Sequence, residues 1–206
     1  MLLSFLRGET GLAMFLSWLI AMTIGLTVHE FCHAKRADMA GDRTPRLAGR
    51  VTLNPLAHYD LIGSSMLLLF GFGWGKPVPI NPLAFRRPRS DTIAVSLAGV
   101  VSNLVLAVVF ALPIRLGFAG AYTMPLAIIV YLNLILAVFN LIPVPPLDGS
   151  HVLEMLLPLQ THRRLEQFYA RNGQWLFIIL MVVIFAGVIR VPVSLLFYLL
   201  TGLHFG

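Results

Sequence analysis

Long apolar stretches, separated by basic and proline-containing segments, make up most of this chain. Crossing a bilayer takes roughly 17–25 mostly apolar residues. Four stretches meet that requirement and predict spanning helices: 11–34, 92–112, 125–142 and 173–189. Two further apolar stretches are shorter: 61–73 and 193–205. The pattern predicts an all-α polytopic membrane protein.

The two shorter stretches predict different structures. Residues 61–73 are rich in glycine and too short to cross comfortably, which predicts a re-entrant or tilted segment whose backbone is buried in protein. Residues 193–205 predict a marginal fifth span. Because no repeat or linker divides the chain, we expect a single domain over residues 1–206, with a core at 11–149 and C-terminal helices at 173–205.

Composition supports a membrane protein. Of the 206 residues, 58% are hydrophobic and 12% are charged, and the mean hydropathy is +0.84, whereas soluble domains carry about 25% charged residues. The net charge of +6 comes from loops between apolar segments, where lipid headgroups explain it, so we expect the bilayer and no nucleic acid as a partner. The single cysteine, Cys32, excludes a CxxC zinc site.

The basic residues also predict the topology. Most of them lie in three loops, 35–58, 74–90 and 148–172, and positive loops remain cytoplasmic. All three fall on one side only if 61–73 enters and leaves by the same face. The N-terminus is then outside, and the first span reaches the cytoplasmic side near residue 34.

Metal-binding chemistry is indicated where the first apolar stretch ends, in the sequence His29-Glu30-Phe31-Cys32-His33. On a helix His29 and His33 share one face, so both imidazoles can reach one metal ion. Glu30 lies one position on and can act as general base toward a metal-activated water. Ionisable groups at this depth are costly in lipid and indicate a functional site.

A catalytic zinc ion needs a third protein ligand and an open fourth position. Asp148 ends a long uncharged stretch, follows three nearby prolines, and is predicted to reach the depth of the histidines. Asp60 or His58 could instead approach the metal from the end of the first basic loop. The absence of a third ligand is the remaining alternative.

Together these motifs resemble the site-2 protease family of intramembrane zinc metalloproteases. The resemblance covers most of residues 20–155. It rests on three motifs: His29-Glu30-x-x-His33, Ala98-Gly99-Val100-Val101-Ser102-Asn103, and Asn140-x-x-Pro143-x-x-x-x-Asp148-Gly149. The second motif has Val100 where many members have proline.

The resemblance implies one zinc ion held by His29, His33 and Asp148, with Glu30 as catalytic base. It also implies a core of three helices at 11–34, 92–112 and 125–142. Asn140 matches a family asparagine near the active site and is expected to steady the oxyanion or the substrate.

Two further features suggest substrate contacts. Asn103 lies in an apolar span, where it either contacts substrate or bonds between helices. The segment 74–82 contains Pro77, Pro79 and Pro82, which disfavour helix. An extended segment would leave the N–H groups of Val78 and Ile80 on one edge for strand addition by an unwound substrate. A plain surface loop is the alternative.

These features predict an intramembrane zinc endopeptidase that hydrolyses a peptide bond of a transmembrane-helix substrate near the cytoplasmic face. We expect a multi-pass protein of a prokaryotic cell membrane, with its active site toward the cytoplasm. The rival class is a metal-binding transporter or scaffold without peptidase activity. The identity of the substrate and the oligomeric state stay open.

Overall fold

The computed structural model describes residues 1–71 and 73–204, with side chains for all of these except 183–185. Phe72, in the predicted segment 61–73, and residue 205, at the end of 193–205, lie outside the described residues. The described α-helices are α1 (Leu2–Leu6), α2 (Leu12–Ala40), α3 (Thr44–Leu47), α4 (Leu61–Phe70), α5 (Pro88–Arg115), α6 (Thr123–Asn140), α7 (Asp148–Leu156), α8 (Leu159–Phe185) and α9 (Arg190–Thr201). Single 3-10 turns occupy Pro55–Ala57, Pro82–Ala84 and Gly120–Tyr122.

Three long helices form the centre of the fold. Within the described residues, the helices long and apolar enough to cross a bilayer are α2, α5 and Gly120–Asn140, which includes α6. They pack on one another, and Ala21, Ala107 and Leu134 are completely buried between them. This arrangement confirms the predicted all-α polytopic fold and its three-helix core.

Helix α2 is longer than the apolar pattern predicted. It continues past residue 34 to Ala40, and Gly41, in the left-handed conformation with a φ of 116°, caps it. The extra turns are stabilised because Ala37 and Ala40 pack against Phe85 and Val95. The basic residues 35 and 36, predicted to begin the first loop, are therefore helical.

The chain returns after α4 to the point where it was before that helix. The ten residues of α4 rise only about 15 Å, half of the roughly 30 Å that a hydrocarbon core requires. Tyr59, just before α4, forms an isolated antiparallel β-bridge with Gly75, just after it. The backbone N–H of Lys76 also donates to the His58 carbonyl over 2.8 Å. The two ends of the segment that contains α4 therefore lie side by side, as the predicted re-entrant segment requires.

The C-terminal third is helical over more residues than the apolar stretches. The predicted span 173–189 falls largely in the second half of α8, which begins at Leu159 and so includes the polar residues before 173. Helix α9 has twelve residues, about 18 Å, and is short for a span. It is nevertheless part of the core, since Val193 and Phe197 are completely buried beside α6.

Candidate metal centre and active site

His29, His33 and Asp148 meet between α2 and the first turn of α7. The Oδ2 atom of Asp148 lies 3.3 Å from Nε2 of His29 and 3.3 Å from Nε2 of His33. The two Nε2 atoms are 2.9 Å apart, and each histidine is 6% exposed. The structure therefore brings together the two motif histidines and the aspartate that the sequence favoured as third ligand.

The outer nitrogens of both rings are occupied by hydrogen bonds. Nδ1 of His33 donates to the carbonyl oxygen of Val95 over 2.8 Å, because that oxygen can only accept. Nδ1 of His29 lies 2.7 Å from Oδ1 of Asn103, which we assign as the acceptor. In the neutral imidazole, a proton on Nδ1 leaves a lone pair on Nε2. Both lone pairs then face the centre.

These atoms fit a zinc ion. Two Nε2 lone pairs and a carboxylate oxygen converge, and Oδ2 of Asp148 is buried without a hydrogen-bond partner in the described part of the chain. Burying such a set of acceptors is costly unless they are paired or coordinate a metal ion. Zinc bonds of 2.0–2.1 Å in a tetrahedron place ligand atoms about 3.3 Å apart. Two histidines and a carboxylate also leave the fourth position that a catalytic zinc ion keeps open.

Two glycines allow the helices to approach the centre. A Cβ atom at Gly99 of α5 would lie 2.5 Å from Cε1 and 2.7 Å from Nδ1 of His29, closer than a side chain tolerates. A Cβ atom at Gly149 would lie 2.7 Å from the carbonyl oxygen of Ile142. Glycine at these positions lets α5 pack on the histidine face and lets Asp148 begin α7 directly after the proline-containing turn.

A buried polar network holds His29 from the side opposite the centre. Asn103 of α5 is completely buried, and its Nδ2 donates to the Gly25 carbonyl (3.1 Å) and to Oδ1 of Asn133 (2.9 Å). Asn133 of α6 in turn donates to the Ile129 carbonyl over 2.9 Å. Asn103 thus joins α2, α5 and α6 by hydrogen bonds. Bonding between helices was the alternative to a substrate contact at this residue. Sequence analysis did not single out Asn133, although a lone amide in an apolar span signals an interhelical bond.

The other candidates lie outside the metal group. Asp60 caps α4, accepting hydrogen bonds from its first N–H groups, and completely buried His58 contacts the Thr52 carbonyl over 2.8 Å through Nε2. Asn140 ends α6 and donates to the Leu136 carbonyl of its own helix over 2.9 Å. Glu30 is half-buried on α2, beside the histidines. Its role and that of Asn140 stay predictions.

Residues 73–81, after α4, are irregular rather than helical. Pro82, predicted to be extended with them, instead begins a 3-10 turn. Val78 is half-buried and Ile80 is 37% exposed.

Arg50, expected to face lipid headgroups with the other loop cations, is instead 3% exposed. Its Nη2 atom donates to the carbonyl oxygens of Lys76 and Pro77. The apolar pattern could not indicate this burial, because it depends on the return of the chain after α4.

Comparisons with known proteins agree with these features. The model of peptidase family M50 matches residues 115–185. A Bacillus subtilis (strain 168) protein named "Putative zinc metalloprotease YwhC" is 37% identical over 158 residues, 72% of this chain and 72% of that protein. "Putative zinc metalloprotease Rip2" of Mycolicibacterium smegmatis is 34% identical over 180 residues, 81% of this chain and 64% of that protein. No solved structure gives a significant match.

The two relatives each match more than 70% of this chain. Their names specify zinc metalloproteases, which agrees with the His29, His33 and Asp148 group that could bind one metal ion. Three helices in the described part of this chain are long and apolar enough to cross a membrane. The chain therefore belongs to the site-2 protease family, peptidase family M50, and is a membrane-embedded zinc metalloprotease.

Proposed function

We propose that this protein is an intramembrane endopeptidase that hydrolyses a peptide bond of a transmembrane-helix substrate near the cytoplasmic face. His29, His33 and Asp148 hold the zinc ion, and Glu30 is the general base. The observation that carries the proposal is the convergence of three acceptor atoms at 2.9–3.3 Å, with Glu30 next to His29 on the same helix.

Bound zinc would supply a Lewis acid for the scissile carbonyl and lower the pKa of water toward about 7. Glu30 takes a proton from the attacking water and delivers it to the leaving amine nitrogen. Asn103 keeps the His29 ring in the orientation and tautomer that the site requires. The helical substrate is first locally unwound, because its peptide bonds are otherwise hydrogen-bonded and screened.

An apolar cavity between α2 and α4 supports a transmembrane substrate. Its volume is about 450 Å³, and its lining includes Leu19, Thr23 and Leu26 of α2. At 100° per residue, these three side chains lie within about 40° of Glu30 around the helix. The cavity ends at Leu26, one helical turn before Glu30. A substrate helix that binds in the cavity would therefore continue toward the proposed base.

The segment after α4 supports binding of the unwound part. The N–H groups of Val78 and Ile80 make no hydrogen bond to any described residue, and both residues lie outside any helix. A substrate strand has unmet carbonyls and N–H groups of its own, so pairing with this edge would satisfy both chains. Asn140 remains a proposed contact to the substrate or the oxyanion.

The cytoplasmic side is proposed from contacts among the basic loops. Arg50 donates to the Pro77 carbonyl over 2.7 Å, and Arg89 donates to the Leu156 carbonyl over 3.1 Å. These bonds join the loops 35–58, 74–90 and 148–172 at one end of the bundle, and positive loops remain in the cytoplasm. The bacterial relatives favour a prokaryotic cell membrane.

The test compares Glu30→Gln with His29→Ala in purified protein reconstituted with single-span membrane peptides. Glu30→Gln is expected to abolish cleavage and retain zinc, since glutamine cannot accept the proton but leaves the metal-binding face intact. His29→Ala is expected to lose both. Zinc is measured by mass spectrometry and cleavage by product analysis. Equal loss of zinc in the two variants would assign Glu30 as a ligand and contradict its role as base.

A further inference from the structure

Arg50 occupies an unusual position for a cation at the membrane surface. It is 3% exposed, and no carboxylate of the described chain forms a salt bridge with it. Nη1 is buried without a hydrogen-bond partner among those residues. A buried charge that is incompletely paired lowers stability. A contribution to stability therefore does not explain why Arg50 is buried here, which points to a functional role.

Among the described residues, the guanidinium of Arg50 donates hydrogen bonds to one short segment. Nη2 donates to the carbonyls of Lys76 and Pro77, the latter over 2.7 Å. Pro77 directly precedes Val78, whose N–H begins the proposed substrate edge. The guanidinium therefore fixes the peptide planes that enter this edge, on the side that the substrate does not use.

A second buried side chain, that of Asp42, holds the other end of the segment that begins at Pro77. Asp42 is 1% exposed, and its Oδ2 accepts a hydrogen bond from the Asn81 N–H over 2.7 Å. Its Oδ1 accepts from the Thr44 N–H over 2.9 Å. The residues between Pro77 and Asn81 are thus held by hydrogen bonds at both ends, which restrains this irregular segment.

Arg50 is also within electrostatic range of the proposed base. Burial lowers the pKa of its guanidinium below the ordinary value, and the negative charge of Glu30 opposes that effect. Arg50 and the segment that it contacts therefore lie on the same side of the protein as Glu30.

We propose that Arg50 is a positioning residue for substrate binding, which with Asp42 holds residues 77–81 extended so that an unwound peptide pairs with Val78 and Ile80. The inference rests on the proposed function. It predicts that loss of Arg50 weakens binding of the peptide while the metal centre and the chemical step remain intact.

The test measures KM, kcat and zinc content for Arg50→Gln and Arg50→Lys. Arg50→Gln is expected to raise KM at least tenfold, keep kcat within about twofold, and retain zinc and thermal stability. Arg50→Lys retains a cation that can donate to one of the two carbonyls, so we expect an intermediate KM. If the glutamine variant does not fold, the lysine variant alone tests the prediction. The matched control is Arg46→Gln, since Arg46 is an exposed cation of the same loop that pairs with Asp38.

A double-variant cycle with Val78→Pro separates the possible outcomes. If Arg50 acts through the edge, Arg50→Gln adds less than twofold to the KM of Val78→Pro. Three results would overturn the assignment. They are a KM in the double variant that equals the product of the two single effects, an unchanged KM in both Arg50→Gln and Arg50→Lys, and a loss of zinc in the Arg50 variants. If Val78→Pro leaves KM unchanged, pairing at the edge and the role of Arg50 both fail. The peptidase proposal is judged separately, by whether Glu30→Gln abolishes cleavage.

Discussion

Replacing Asn103 by leucine should weaken zinc binding without touching a proposed ligand. The leucine removes the acceptor 2.7 Å from Nδ1 of His29, so the ring loses the bond that fixes its tautomer and orientation. Loss of a partner that holds a metal-binding histidine typically costs 10–100-fold in metal affinity, about 1.4–2.8 kcal/mol. We expect a change in zinc affinity in this range and a comparable loss of kcat/KM.

The same substitution should also reduce stability. It leaves the His29 Nδ1–H and Asn133 Oδ1 buried without their partners. Each unsatisfied buried group costs about 1–3 kcal/mol, whereas measured hydrogen bonds between membrane helices average about 0.6 kcal/mol. We therefore expect the free energy of unfolding to fall by about 1–2 kcal/mol when zinc is saturating.

Zinc affinity is measured by competition with a chromophoric chelator in detergent, and stability by thermal unfolding with excess zinc. Ser102→Ala is the control, because Ser102 is the neighbouring buried residue and its hydroxyl donates within α5 to the Gly99 carbonyl. A zinc affinity within twofold of the wild type in Asn103→Leu would refute the argument that this network orients His29.

Two further substitution tests concern the metal site, and one labelling test concerns the orientation of the loops relative to the membrane. Asp148→Ala should lose zinc and activity, whereas Asp60→Ala should retain zinc at a small cost in stability, because Asp60 caps α4; zinc analysis showing the reverse would identify a different third ligand. Gly99→Ala should lower zinc affinity at least tenfold, since its Cβ would press on His29 and displace a metal-binding ring. Gly173→Ala, with open space around it, should match the wild type in the same titration. Cysteines at positions 46, 87 and 163 in a Cys32→Ser background should react with a membrane-impermeant reagent only from the cytoplasmic side, and labelling of position 87 from outside would contradict the re-entrant topology.

The apolar pattern was informative where local sequence determines the structure. The three central spans and the short segment after residue 60 follow from apolar length alone, since a bilayer leaves few alternatives for the backbone. Helix ends were less predictable. The last turns of α2 depend on the burial of Ala37 and Ala40 against Phe85 and Val95, residues far along the chain that a local pattern cannot register.

By itself, the sequence determined the class of protein, the two histidines on one helix face, and Glu30 beside them, because helical spacing is a local property. It favoured Asp148 without excluding Asp60 or His58. Only the tertiary structure decided that Asp148 meets the histidines, that Asn103 and Asn133 join three helices behind His29, and that Arg50 is buried on residues 76–77. Those contacts join residues 26 to 119 positions apart in the sequence. Contacts over such separations are set by how the helices pack rather than by any pattern within one helix.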